Sequence, residues 1–190
     1  MIVNGSWLGE LGRFGYSEHT ITQLFAYGNR IAWPVVQHKE LGGGRTGGVW
    51  TFYQSGEDYT GLPMAISTQF PVGDLNPQKQ YRSYMLSLEK PSRGARLGAL
   101  NSYVADRDPE AGRYGGAMTL SKSSKGLWAS FSGWPELVDI VFVVFVLQGV
   151  KVLTDQRVDE IFADHGEVAS ELKRLFMIMT EVCPKWQPSV

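Results

Sequence analysis

Leu137-Val-Asp-Ile-Val-Phe-Val-Val-Phe-Val-Leu147 decides the fold of this chain. The run is apolar at almost every position and rich in β-branched side chains, so it has to be buried. It is entered through Ser132-Gly133-Trp134-Pro135-Glu136. The β-branched content favours a strand. Its length up to Leu153 is too great for one ordinary strand. Pro135 suits the first position of a helix, and Glu136 and Asp139 stand near the positive end of its dipole. A helix apolar on all sides is a buried one, and this reading is preferred over the strand.

The same run is a poor membrane span. It is short, and it carries Asp139, Gln148 and Lys151. The whole chain has 190 residues, 43% hydrophobic and 19% charged, which suits one globular domain over residues 1–190. A formal net charge of -1 gives no global case for nucleic acid or an anionic membrane as partner. With Cys183 as its one cysteine and no basic, apolar leader at Met1–Trp7, the chain reads as cytoplasmic.

Outward from the apolar run, short segments alternate with turns. Ser17 is placed as an N-cap, with Ile21, Leu24 and Phe25 on one helical face and Gly28-Asn29 as the stop. Ile31–Gln37 reads as a strand demoted by Pro34 to an edge or bulge. Val49–Gln54 is the plainest strand, followed by Tyr59–Thr68, a loop over Phe70–Gln78, and strands at Gln80–Leu88 and Ala95–Val104 around a turn at Lys90–Gly94. Asp106–Gly112 is a polar turn. Ala117–Ser121 and Leu127–Phe131 make a hairpin across Lys122–Gly126. Thr154 caps Gln156–Ala163, Gly166 breaks it, and Glu167–Thr180 is a last helix. The expectation is an α+β fold: a mostly antiparallel sheet of five to seven strands, one buried helix and two C-terminal amphipathic helices.

Local charge is uneven although the total is close to neutral. Residues 78–133 hold nine basic and four acidic groups, and residues 134–190 hold five basic and nine acidic groups. An anion-binding face in the middle segment follows as one reading, and internal complementarity as the other. Candidate contacts are Arg45 and the loop Gly42–Gly48, with Arg82 beside Tyr81 and Tyr84 as a cationic, stacking surface for a planar or anionic ligand. The glycine loop lacks a closing Gly-Lys-Ser/Thr, so it is not a nucleotide P-loop. His38, near Glu40 and Arg45, is the one histidine with neighbours suited to ligand contact or general-base work. His19, His38 and His165 stand at no metal-ligand spacing, and no metal site is expected. Cys183 has no neighbour that would activate its thiol.

Tyr114-Gly115-Gly116-Ala-Met-Thr-Leu, followed by Gly126-Leu-Trp-Ala-Ser-Phe-Ser132-Gly133-Trp-Pro135-Glu136-Leu-Val-Asp139, resembles the haem-binding and haem-degrading-like domain family. The resemblance covers about residues 114–148. It implies a hairpin followed by a helix, with the Gly115-Gly116 and Ser132-Gly133 turns as ligand-facing backbone. No haem ligand carries over, and no cofactor is assigned. Three functions are open: a cytosolic small-molecule-binding protein, a non-catalytic homo-oligomer that buries its apolar helix or an edge strand against a copy, and an enzyme using His38 with nearby carboxylates.

Overall fold

The computed structural model describes residues 17–57, 63–75, 77–120 and 127–187. Among these residues it has six α-helices and a four-stranded antiparallel sheet. In chain order they are α1 Glu18–Gln37, α2 Lys39–Gly42, β1 Gly47–Glu57, β2 Pro63–Gly73, α3 Pro77–Arg96, β3 Ala117–Thr119, β4 Trp128–Ser132, α4 Glu136–Gly149, α5 Asp155–Ala163 and α6 Ala169–Val182. The strand order is β2-β1-β4-β3. The expected five to seven strands are therefore corrected to four, and two of the missing strands are helices.

The first correction lies in α1. Its buried residues Leu24, Tyr27, Ile31, Ala32 and Val35 recur at helical spacing straight through the expected stop at Gly28-Asn29. Gly28 sits where the helix meets another: a Cβ there would lie 3.6 Å from the Phe142 ring. Pro34 removes one backbone donor from the last turn but does not end the helix, because Ile31 and Val35 are both fully buried. Ser17 caps the start as expected, accepting from Thr20 N at 3.1 Å.

The second correction lies in α3, which takes in the expected strand Gln80–Leu88, the expected turn Lys90–Gly94 and the first residues of the expected strand Ala95–Val104. This helix is inverted. Its buried residues are Ser87, Lys90, Pro91, Arg93 and Gly94, whereas Tyr81 and Met85 face outward at 76% and 50% exposure. The expected loop Phe70–Gln78 is also corrected, since Phe70–Gly73 completes β2 and Pro77 opens α3. The beginning of the expected strand Tyr59–Thr68, and the hairpin turn Lys122–Gly126, lie outside the described residues.

Period-two alternation gives the sheet two unlike faces. Trp50, Phe52, Phe70, Val72, Met118, Ala129 and Phe131 form one, joined in a single apolar cluster with α1 and α4. Trp50 pairs with Phe70 on one side and Phe131 on the other. Thr51, Tyr53, Gln69, Ala117, Thr119, Trp128, Ser130 and Ser132 form the other, and α3 covers it. Helix α4 is the core as expected, with residues 140–144 fully buried. Thr154 and the stripe Leu172, Leu175 and Met179 confirm the two C-terminal helices. No helix among the described residues is long and apolar enough to cross a membrane.

Candidate functional site

At one edge of the polar sheet face, α3, the loop before β1 and the β4–α4 connection enclose a cavity of ≈ 480 Å³. Its charged lining consists of Arg45, Lys79, Arg82, Lys90, Glu136 and Asp139. Arg45, Lys79 and Arg82 are exposed at the mouth, while Lys90 and Asp139 are buried at the floor.

The floor is built by α3 and α4 meeting across β4. Lys90 Nζ donates to Asp139 Oδ2 at 2.9 Å and to the Phe131 carbonyl at 2.7 Å. Asp139 Oδ1 accepts from Trp134 N at 2.9 Å, so this carboxylate closes the start of α4, where Pro135 is the N-cap and has no capping side chain. Burial pushes the Asp139 carboxyl up to about 6, against the opposing pull of Lys90. Gly116 makes room for the ammonium. It has φ +106°, and a Cβ there would sit 2.8 Å from Lys90 Nζ.

The walls are held by backbone bonds. Arg45 Nη1 donates to the carbonyls of Gly133 (3.2 Å) and Trp134 (2.8 Å), pinning the glycine loop to the β4–α4 connection. Gly43 and Gly44 adopt the left-handed conformation that brings Arg45 there. Glu136 is bound by Arg107 at 2.8 Å and by the backbone N–H of Gly115. Arg107 also lies over the Tyr103 ring, 4.7 Å from its centroid. Arg93, buried deeper on α3, donates to carbonyls of Ser102, Ala105 and Tyr114 and so straps the irregular segment 99–116 under the sheet.

Of the expected site residues, Arg45, Arg82, Ser132 and Gly133 meet in this cavity. Gly115 and Gly116 lie just behind it, through Glu136 and Lys90 respectively. Tyr84 does not line it; its carbonyl accepts from Gln69 Nε2 at 2.7 Å beneath α3. His38 does not line it either. It joins α1 to α2, and its neighbour Glu40 is committed to Arg174 at 2.7 Å. Asp106 and Asp108 are both paired with Arg113. Cys183 is buried, and its thiol is pushed up to about 12 by that burial, far from nucleophilic. Among the described residues no cluster of three or more His, Cys, Asp or Glu side chains could hold a metal ion.

Sequence reasoning missed Lys90, Asp139 and Lys79 as site residues. Asp139 did carry a signal: one carboxylate inside a wholly apolar helix needs a cation from elsewhere. Lys90 carried none, because its position looked like a turn. Comparison of the chain with protein-family models, with curated proteins and with solved structures finds no match.

Proposed function

We propose that this protein binds a small anionic molecule in the cavity between α3 and the β4–α4 connection. The observation that supports this most is the charge of the lining. Four cations face two carboxylates, and both carboxylates are already engaged: Asp139 by Lys90, and Glu136 by Arg107 from outside the cavity. Lys79 and Arg82 have no ion-pair partner among the described residues. Unmatched cations at the mouth of a concave site raise the local potential for anions. The cytoplasmic setting read from the sequence is part of the same proposal.

The test is isothermal titration at low salt with inorganic phosphate and with citrate, backed by native mass spectrometry of protein purified from cells. A saturable heat that weakens with added salt, and by about tenfold or more in Arg45→Ala/Arg82→Ala, is expected. No heat with either anion and no bound mass overturns the reading.

The haem-family resemblance supplies a second reading, favoured by one observation: Ser132 and Gly133 line the cavity and Gly116 backs its floor. Among the described residues no histidine, cysteine or methionine lines it, and Tyr114 is the lining side chain best suited to ligate the iron. A Soret band on haem addition that survives Arg45→Ala/Arg82→Ala and is lost in Tyr114→Phe would put this reading first. Of the two surfaces that the assembly reading offers, the apolar helix is buried inside the chain, which leaves an edge strand.

A further inference from the structure

The lining distinguishes between classes of anion, and three observations point the same way. The first is an apparent fault in α3. Lys79 and Arg82 stand in its first turns, where the helix dipole favours acidic residues, and no carboxylate accompanies them in the first turn. Residues that oppose their own local structure without a compensating contact tend to mark function. Together with Arg45 they form a cationic mouth suited to a group carrying more than one negative charge.

The second observation is at the floor. An ammonium has three donors, and Lys90 spends two of them, on Phe131 O and Asp139 Oδ2. The third has no acceptor among the described residues, although the side chain is only 1% exposed. A buried donor left unpaired is costly, and the cavity is the open side from which an acceptor can reach Lys90.

The third is the remainder of the lining: the hydroxyl-bearing Thr46, Ser83, Tyr114 and Ser132, beside Leu75 and Leu86. The tyrosines expected to stack on a planar ring, Tyr81 and Tyr84, are not among the lining residues. The wall therefore offers hydroxyl partners to a hydroxyl-bearing body.

We propose that the cavity takes a phosphorylated, hydroxyl-bearing small molecule of the sugar-phosphate class. Arg45, Lys79 and Arg82 hold its phosphoryl group at the mouth, and a hydroxyl oxygen accepts from Lys90 at the floor. This inference rests on the anion-binding reading and narrows it. Titration of the full chain with ribose 5-phosphate, methyl phosphate, ribose and citrate separates the two. Ribose 5-phosphate should bind at least about tenfold tighter than methyl phosphate, which carries the same phosphoryl group without hydroxyls, and ribose should not bind. Arg82→Ala should weaken ribose 5-phosphate by about tenfold or more. Lys90→Met/Asp139→Leu, which removes both buried charges together, should reduce it to the level of methyl phosphate. Equal affinities for ribose 5-phosphate and methyl phosphate overturn the inference while leaving anion binding in place. Citrate binding as tightly as ribose 5-phosphate, with the same loss in Arg82→Ala, has the same consequence. Silence from all the anions removes both readings.

Discussion

The two faces of the sheet are covered by helices of opposite character. On one face α4, apolar almost all round, sets Phe142 against Trp50 and Phe131, with ring centroids 5.6 and 4.6 Å apart. On the other α3 buries Ser87, Lys90 and Arg93 against Thr51, Gln69 and backbone carbonyls. The apolar face is held by contact and area, which tolerate approximate partners. The polar face is held by directed bonds, each of which needs its counterpart. The cavity opens on the second face. A site that must present charge is more easily assembled where charge is already buried and oriented.

Single truncations should cost the two faces alike, and rescue should separate them. Phe142→Ala and Lys90→Met should each lose about 3–5 kcal/mol in urea unfolding, the first by leaving a void and the second by leaving Asp139 charged and alone. Adding Asp139→Leu to Lys90→Met should restore most of the loss, because the pair is removed together. No second apolar truncation should restore Phe142→Ala. Equal non-additivity on both faces would erase the distinction.

The glycines give a smaller contrast. Gly94 brings α3 against the sheet so closely that a Cβ would lie 2.2 Å from the Trp128 ring, so Gly94→Ala should cost about 1–3 kcal/mol through overpacking. Gly28→Ala, in the middle of α1, adds a methyl at an ordinary 3.6 Å contact and should be neutral or gain about 0.5–1 kcal/mol from helix propensity. Thermal melts of the two variants read the difference in sign.

Between these lies Ser87, whose Oγ accepts from Thr51 at 2.8 Å and Gln69 at 2.9 Å. Ser87→Ala should cost about 1–2 kcal/mol, the weight of donors left without their acceptor.

Acid should act on the two buried titratable side chains Asp139 and His165 in opposite directions. Asp139 has its carboxyl raised from 3.8 to about 6 by burial, so between those values the native state holds a proton that the unfolded chain has released. This group therefore adds stability as pH falls from 6 towards 4. His165, buried and hydrogen-bonded through Nδ1 to Ile161 O at 2.7 Å, is lowered below 6.5 by desolvation. The unfolded chain takes up that proton first, so this group subtracts stability as pH falls below 6.5. His165→Gln should flatten the acid loss, and Lys90→Met/Asp139→Leu should steepen it. Urea midpoints between pH 7 and 4 test both slopes.

Much of the architecture could be read from local pattern. The caps at Ser17 and Thr154, the strand at Val49–Gln54, the antiparallel pairing of residues 117–119 with 128–130 and the buried helix after Pro135 all announce themselves by capping chemistry or by periodicity. Arg45 and Arg82 stand out by residue type, Ser132 and Gly133 by the family resemblance, and the four meet at the cavity. Local pattern fails where burial is polar. Gln80–Arg96 does carry an apolar row at helical spacing, Tyr81, Tyr84, Met85 and Leu88, but Lys90-Pro91 reads as a turn, and the helix buries Ser87, Lys90 and Arg93 while Tyr81 and Met85 face solvent. Gly28 and Pro34 look like stops until Phe142 and the sheet are in place to hold α1 across them. Sequence alone determined that the apolar run after Pro135 would be buried, and Asp139 with it. Only the tertiary structure decided that the cation beside it is Lys90, 49 residues away in the chain, because a buried charge is satisfied by whatever the fold brings within 3 Å and not by its neighbours in sequence.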